Sequence, residues 1–263
     1  MALPSRDVEH VVITGASSGL GAALARAYAR PGVTLTLFGR DKVRLASVAA
    51  TCTTDGADVS VIACDVTDAP LMTNQLIRVD QIRPIDIVIA NAGIGGKTAM
   101  APSEGESTSI AHALIATNTI GVINTATAII PRFVSRKAGH FVVVSSLAGL
   151  IGLPQSPAYC GSKAAVRIYA EGLRRLVRPH GVRVTIVNPG FVDTPMSRSL
   201  PQMGPQTWSS DRAAAAIKKA VAKGKTEMSF PRSLRFAVAL SRLLPGRLVD
   251  AALARAYRPI PFS

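Results

Sequence analysis

The chain contains few cysteines, few aromatic residues and few acidic residues. Its three cysteines (Cys52, Cys64 and Cys160) are odd in number and lack metal-ligand spacing, so we expect reduced thiols, no disulfide framework and no metal site. Aromatic residues make up only 5% of the chain, whereas hydrophobic residues make up 48%. The core must therefore be built mainly from aliphatic side chains.

Membrane-spanning and targeting segments are also missing from the pattern. No uninterrupted apolar run approaches the roughly 18 residues that cross a bilayer. The first seven residues, MALPSRD, contain no hydrophobic signal region. We therefore expect a soluble, cytoplasmic protein, and a length of 263 residues is compatible with a single α/β domain.

Apolar strand patterns alternate with helical patterns along most of the chain. The strand patterns are rich in Val and Ile and almost continuously apolar, which is typical of a parallel sheet buried on both faces. They lie at residues 9–14, 33–38, 59–63, 86–90, 140–145, 182–187 and 227–230. The pattern predicts an α/β fold with a doubly wound parallel sheet of about seven strands, with residues 1–231 forming one domain and 232–263 a basic helical extension of it.

A glycine-rich turn joins the first strand to the first helix, with the sequence TGASSGLG over residues 14–21. Gly15, Gly19 and Gly21 let the backbone approach a pyrophosphate closely, and the start of a helix offers free N–H groups to an anion. The intervening Ser17, Ser18 and Leu20 are therefore candidate cofactor-binding residues too. Tight turns also need glycine for steric reasons alone, so this motif by itself is weak.

The end of the second strand indicates which dinucleotide is bound. An acidic residue there would accept a hydrogen bond from the ribose 2′-hydroxyl of NAD, whereas a basic residue suits the 2′-phosphate of NADP. Gly39 occupies the position of that acid, and Arg40 follows it. The sequence therefore favours NADP. NAD stays open, because Arg40 could be a solvated residue paired with Asp41.

Tyr159 and Lys163 lie four residues apart in a predicted helix, and Ser146 precedes Tyr159 by thirteen positions. Residues at this helical spacing share one face, so a phenol and an ammonium can converge on one bound molecule. A nearby cation favours the phenolate and would lower the tyrosine pKa toward the range that general acid–base chemistry needs. Tyr-x-x-x-Lys alone also occurs by chance on many helices.

Taken together, these motifs resemble the classical short-chain dehydrogenase/reductase family over about residues 11–230. The resemblance implies a Rossmann-type fold, an NAD(P)-dependent oxidoreductase and a homodimer or homotetramer. It also adds candidate cofactor-binding residues. They are Asp65, Val66, Asn91, Ala92, Gly93, Pro189, Gly190, Val192 and Thr194, together with Tyr159 and Lys163.

The same resemblance implies a catalytic role for four side chains. Tyr159 would be the general acid in reduction and the base in oxidation, and Ser146 would donate a hydrogen bond to the substrate carbonyl. Lys163 would hold the nicotinamide ribose and lower the tyrosine pKa. Asn118 would keep a water in line with Lys163, although a mid-helix asparagine can also simply bond to the backbone at a bend.

The sequence therefore predicts hydride transfer between NADP(H) and a carbonyl or secondary alcohol. The predicted pocket lining is apolar, which suggests a lipophilic substrate. Its members are Ile94, Leu150, Ile151, Leu153, Phe191, Met196, Leu200, Met203 and Trp208. Two alternatives stay open: an NAD-dependent member of the same family, and a non-catalytic dinucleotide sensor or scaffold.

Positive charge is concentrated near the C-terminus. The net charge is +14, and residues 212–263 hold eleven lysines and arginines against two acidic residues. Two amphipathic helices are predicted at 233–244 and 247–257. Their apolar faces could pack on the domain or a sister subunit, or the basic tail could lie on an anionic membrane. Nucleic acid is not expected, because aliphatic residues interrupt the basic ones and stacking aromatics are few.

Overall fold

The alternating sequence pattern corresponds to an alternating α/β structure in the computed structural model, which describes residues 8–95, 106–199, 206–241 and 243–256. The described residues form nine strands, of which seven match the predicted positions to within two residues and two, each only two residues long, were not predicted. They are β1 His10–Thr14, β2 Thr34–Gly39, β3 Asp58–Ala63, β4 Ile87–Ala90, β5 His140–Val144, β6 Arg183–Pro189, β7 Val192–Asp193, β8 Trp208–Ser209 and β9 Glu227–Phe230. The helices are α1 Gly19–Tyr28, α2 Lys42–Thr54, α3 Ala69–Ile82, α4 Thr108–Ile115, α5 Gly121–Ser135, α6 Pro157–Val177, α7 Ser210–Ala222, α8 Arg232–Ser241 and α9 Gly246–Ala256.

Seven of these strands form one parallel sheet in the order β3-β2-β1-β4-β5-β6-β9. The chain runs outward from β1 in one direction and then returns to β4 on the other side. The strand order thus reverses between β1 and β4, and ligands of open α/β sheets bind outside the carboxyl ends of the strands at such a point. The predicted doubly wound fold is confirmed.

Two apolar layers cover the sheet. Helices α3, α5 and α6 pack on one face around Met72, Ile129 and Val166. Helices α1, α2 and α7 pack on the other face around Leu24 and Ile217. Because both faces are covered, the central strands are apolar at almost every position, which is why they lack the alternation of half-buried strands.

The helix predicted to run from Thr108 to Val134 is not regular. A π-helical turn, Ala116–Ile120, separates α4 from α5 and contains Asn118. By length and composition alone, Thr108–Ser135 could cross a membrane, but 61% of its most apolar window is buried inside the domain. Its apolar residues are therefore explained by the core of the fold. Single π turns are often found at functional sites.

The C-terminal helices lie against the domain. Helix α8 packs Val238 and Leu234 onto Leu147 and Leu150, which belong to the 3₁₀ turn after β5. Helix α8 ends at Ser241 rather than at the predicted residue 244, and α9 is described to Ala256. The last predicted position of the second helix, residue 257, lies outside the described residues.

Candidate active site

The glycine-rich turn after β1 has the geometry that only glycine tolerates. Gly15 and Gly19 have φ angles of +67° and +54°, in the left-handed region. A Cβ on Gly21 would lie 2.1 Å from the carbonyl oxygen of Gly15, so the helix start and the turn touch through bare backbone. The three glycines thus bring α1 against the end of β1.

The start of α1 is open to an anion. Its N-cap, Ser18, makes no side-chain capping hydrogen bond, and the first turn holds no acidic residue. The N–H groups there and the positive end of the helix dipole are therefore available to a phosphate. Ser17 and Leu20 are half-buried beside it. These features fit a dinucleotide pyrophosphate.

Asn91 connects the end of β4 to the glycine turn. Its Nδ2 donates to the carbonyl oxygens of Thr14 and Gly15 at 3.1 and 3.2 Å. The Thr14 hydroxyl oxygen accepts hydrogen bonds from the backbone N–H groups of Asn91 and Ala92, both at 3.1 Å. These hydrogen bonds hold β1 and β4 in register at the point where the strand order reverses.

Arg40 extends from the end of β2 and is two-thirds exposed. Its Nη1 lies 3.6 Å from Oδ2 of Asp65, at the end of β3. Burial raises the pKa of Asp65, but hydrogen bonds from Thr67 and the charge of Arg40 outweigh it and hold that pKa below its usual range. The predicted candidates Arg40 and Asp65 therefore lie side by side.

The alternative in which Arg40 pairs with Asp41 is not the arrangement observed. Asp41 is the N-cap of α2, where its carboxylate accepts a hydrogen bond from the N–H of Arg44 at 3.0 Å. The Arg44 side chain pairs with the same carboxylate. Asp41 is thus occupied by its own helix, which is the role that Asp at an N-cap ordinarily has.

Ser146 and Tyr159 meet beside the end of β5. Ser146 caps the 3₁₀ turn by accepting a hydrogen bond from the N–H of Ala148 at 3.1 Å. Burial raises the pKa of the Tyr159 phenol, and a hydrogen bond with Ser146 opposes that shift. The neighbouring Ser145 donates to the carbonyl oxygen of Lys163 at 2.7 Å.

Lys163 is 5% exposed, and its Nζ donates to the carbonyl oxygen of Val144 at 3.0 Å. Burial lowers its pKa to about 8. Burial is the largest cause of the raised Tyr159 pKa, and the contact that opposes it comes from Ser146. That the charge of Lys163 lowers the Tyr159 pKa stays a prediction.

Asn118 is fully buried in the π turn and uses its side chain for structure. Its Oδ1 accepts from the N–H of Ile94 at 2.8 Å, and its Nδ2 donates to the Ile94 carbonyl and to Ser162 Oγ at 3.1 and 3.0 Å. Both amide hydrogens are thereby donated within the protein. This matches the structural alternative, although the backbone bonded is that of another loop.

Gly93 lies close to the side chains of both Asn118 and Lys163. A Cβ on Gly93 would lie 3.1 Å from Asn118 Oδ1 and 3.4 Å from Lys163 Nζ. The two polar atoms therefore both border the space next to Gly93. This is the region where the resemblance expects Asn118 to act toward Lys163.

The segment after β6 returns to the glycine turn. A Cβ on Gly19 would lie 3.1 Å from the Cβ of Thr194, so these two candidates are adjacent. Gly190 donates its N–H to the carbonyl of Phe230 at 2.6 Å, following Pro189 at the end of β6. The side chains of Val66 and Val192 are instead buried in the core clusters, so only their backbones are left to meet a ligand.

Comparison with known proteins gives the family. A family model described as short chain dehydrogenase matches residues 9–204. An uncharacterized oxidoreductase of Myxococcus xanthus is 36% identical over 245 residues, covering 93% of this chain and 96% of its own. The chain belongs to the short-chain dehydrogenase/reductase family.

Solved structures agree with this assignment. A short-chain dehydrogenase from Burkholderia cenocepacia in complex with NADP has a TM-score of 0.79 at 28% identity, covering 94% of this chain and 97% of that one. A short-chain dehydrogenase from Sphingobium yanoikuyae in complex with NADPH has a TM-score of 0.78 at 27% identity, covering 97% and 99%. The chain is therefore an oxidoreductase of the NAD(P)-dependent short-chain dehydrogenase/reductase kind.

Sequence reasoning missed Ser162 in this short-chain dehydrogenase. Its hydroxyl donates to the carbonyl oxygen of Tyr159 at 2.7 Å and accepts from Nδ2 of Asn118 at 3.0 Å. Ser162 therefore ties the π turn to the α6 turn that carries Tyr159. The only signal in the sequence is a polar residue beside Lys163 on a helix face that should be buried.

The predicted apolar pocket lining is not gathered around one cavity. Leu150, Ile151 and Leu153 line a cavity of about 700 Å³ between α6 and α9, together with Cys160 and Leu253. Among the described residues that line this cavity, none belongs to the candidate set Asn118, Ser146, Tyr159 and Lys163. Met196 instead lies next to Gly95, beyond β4, while the predicted Leu200 and Met203 are outside the described residues.

Proposed function

We propose that this short-chain dehydrogenase transfers a hydride between NADP(H) and a carbonyl or secondary-alcohol substrate, with Tyr159 as general acid and base. One observation carries the proposal: Ser146, Tyr159, Lys163 and Asn118 converge at the carboxyl edge of the sheet, next to a glycine turn with an open helix start. The apolar residues predicted around this edge favour a lipophilic substrate.

Tyr159 and Ser146 would act on the substrate oxygen. When bound, NADP(H) carries the hydride. Burial keeps the Tyr159 phenol protonated at neutral pH, so it can give its proton to a carbonyl oxygen that gains negative charge. Ser146, already in contact with the phenol, would donate a second hydrogen bond to the same oxygen. In the direction of alcohol oxidation, Tyr159 would take the proton back.

Lys163 would replace the proton that Tyr159 gives away. Its pKa of about 8 lies close to neutral pH, so the ammonium can lose a proton at modest cost. Lys163 Nζ and Asn118 Oδ1 both lie beside Gly93, so the proton would come to Lys163 from the side of the π turn. Asn118 would shape this route through its hold on Ile94 and Ser162.

Arg40 supports NADP over NAD. Its guanidinium is exposed at the end of β2, and the nearby Asp41 is occupied as a helix cap. The related Burkholderia and Sphingobium structures hold NADP and NADPH, respectively. In this structure the Arg40 guanidinium is paired with Asp65. It would form charge-assisted hydrogen bonds to a phosphate at the ribose 2′ position.

A screen of ketones, aldehydes and secondary alcohols of increasing chain length, each with NADPH or NADP and with NADH or NAD, tests the proposal. Turnover is followed as a change in nicotinamide absorbance. We expect it with NADPH or NADP and with the longer apolar substrates. Binding of NADPH without turnover across the whole panel would contradict it and favour a dinucleotide sensor.

A further inference from the structure

The tail helices present a row of exposed apolar side chains. Phe236, Leu240, Leu243, Leu244 and Leu248 are 70%, 47%, 81%, 46% and 58% exposed. We call these five residues the tail row. They fall within thirteen consecutive positions, whereas the other eight exposed large hydrophobic residues of the described chain are spread from Val43 to Met196. Exposed apolar side chains grouped in this way indicate an interaction site.

Helix α8 has two apolar faces that serve different purposes. Leu234 and Val238, four residues apart, pack inward on Leu147 and Leu150. Phe236 and Leu240, also four apart, lie on the opposite side of the helix and are exposed. A step of six residues from Leu234 rotates the side chain of Leu240 to the outer face, so Leu240 does not share the inward face with Leu234.

Helix α8 is held on the domain independently of the tail row. Nη1 of Arg235 donates to Ser229 Oγ at 2.9 Å and to Glu227 Oε1 at 3.3 Å, both on β9. Helix α9 has Val249 and Leu253 half-buried toward the domain. Packing on the domain and contact with a further surface are therefore not alternatives. They use different faces of the same helices.

The charged residues around the tail row indicate which kind of partner it binds. Arg232, Arg247 and Arg255 are exposed around it, and Asp250 is the only acidic residue in the sequence from 232 to 263. A second copy docked through the same row would bring two sets of arginines together. An anionic bilayer offers the opposite charge and an apolar interior at the same surface.

We propose that α8, α9 and the turn between them dock this enzyme on an anionic lipid bilayer. The tail row enters the boundary between headgroups and acyl chains, while Arg232, Arg247 and Arg255 contact the lipid phosphates. Since α8 is fixed to the 3₁₀ turn that follows Ser146, docking holds this edge of the domain at the membrane surface.

Sedimentation of the full-length protein with vesicles tests the proposal. Vesicles of phosphatidylcholine alone are compared with vesicles of phosphatidylcholine and phosphatidylglycerol at low and high salt. We expect binding to the anionic vesicles that weakens as salt rises. Leu243→Ser should lower the partition coefficient about tenfold because it removes apolar area from the contact. Arg247→Gln should lower it about fivefold at low salt.

Ile82→Ser is the matched control. Ile82 is 77% exposed at the end of α3, close to the 81% of Leu243, but lies outside the tail row. It should leave vesicle binding unchanged, and all three variants should keep the wild-type melting temperature. The proposal is overturned if the wild type does not prefer anionic vesicles, or if Ile82→Ser weakens binding as much as Leu243→Ser. It is also overturned if Leu243→Ser abolishes self-association seen by sedimentation equilibrium while vesicle binding is absent.

Discussion

Polar side chains are buried at both ends of the strands in the central sheet, but their contacts differ. We call the side where the strands begin the amino edge and the side where they end the carboxyl edge. At the amino edge, His10, Asp80 and Asp86 are bonded to groups of the protein itself. At the carboxyl edge, Lys163 is also buried, but its Nζ lies beside Gly93, and it shares α6 with Tyr159, which is half-buried. We infer that the polar residues at the amino edge stabilise this fold and that those at the carboxyl edge take part in the chemistry.

The amino edge is satisfied internally. Asp80 accepts hydrogen bonds from the N–H of Ile85 and from Arg132 and Arg136. Burial alone would raise the pKa of Asp80, but these contacts hold it below its usual range. His10 is bonded to Thr36 through Nε2 and to the Arg83 carbonyl through Nδ1. Such groups fix the strand starts and leave little for a ligand.

The largest predicted effect comes from removing charge at the carboxyl edge. Lys163→Met should lower kcat for carbonyl reduction by roughly 10³-fold, because the proton route through Tyr159 is lost. In the wild type, the rate should fall as pH rises above about 8, since Lys163 then loses its proton. The pH–rate profile of both proteins checks this. If the variant keeps the wild-type rate and the same high-pH limb, Lys163 does not act in this way.

Asp80→Ala, at the amino edge, should lower stability and leave kcat unchanged. Arg132 and Arg136 would lose their buried partner, which costs about 3–5 kcal/mol of unfolding free energy. Urea unfolding measures this loss, and kcat per folded molecule should stay at the wild-type value. Asp211→Ala is the control, because the Asp211 pair with Arg26 is exposed and should contribute less than about 1 kcal/mol. A loss of kcat in Asp80→Ala without a loss of stability would break the comparison between the edges.

Arg40→Ala should shift cofactor preference by roughly tenfold or more toward NAD, because a charge-assisted fork to the 2′-phosphate contributes about 1.5–3 kcal/mol. The ratio of kcat/KM values for NADPH and NADH measures this shift. Arg44→Ala is the matched control, since both arginines are about two-thirds exposed and they lie four residues apart. An NADH preference in the wild type, or an equal shift in both variants, would contradict the assignment of Arg40.

The smallest effect at neutral pH is expected from His140, at the start of β5. Burial, with a contribution from the charge of Arg183, lowers its pKa from 6.5 to about 3. Between about pH 6.5 and pH 3, His140 is therefore protonated in the unfolded chain but not in the folded protein. The unfolding free energy falls by about 1.4 kcal/mol for each pH unit in this range as pH decreases. In His140→Gln this part of the slope should vanish. Unfolding free energies measured at several pH values check this. If His140 were not the cause, the wild type and His140→Gln would lose stability with falling pH at the same rate.

Much of the fold could be predicted because local pattern and global topology agree. The strands are apolar throughout and the turn after β1 carries glycines at the positions where its φ angles are positive. The π turn around Asn118 could not be predicted, because one extra residue in a helical turn leaves no mark on an apolar pattern. It depends on tertiary hydrogen bonds to Ile94 and Ser162.

The positions of the candidate residues could be predicted better than their electrostatics. The four-residue spacing predicts that Tyr159 and Lys163 share a helix face, and the structure places both on α6 with Ser146 in contact with Tyr159. The raised pKa of Tyr159 could not be predicted, because burial of a phenol depends on what packs around it and not on the spacing along the chain.

The account depends most directly on the phenol of Tyr159, and one pair of variants tests it. Tyr159→Phe removes the hydroxyl at the site, and Tyr169→Phe removes one from the same helix, where Tyr169 packs against the core. NADPH affinity and turnover are measured for both by fluorescence titration and steady-state kinetics. We predict that Tyr159→Phe binds NADPH like the wild type and loses at least about 10³-fold in kcat, while Tyr169→Phe keeps both. Wild-type turnover in Tyr159→Phe would contradict the central claim.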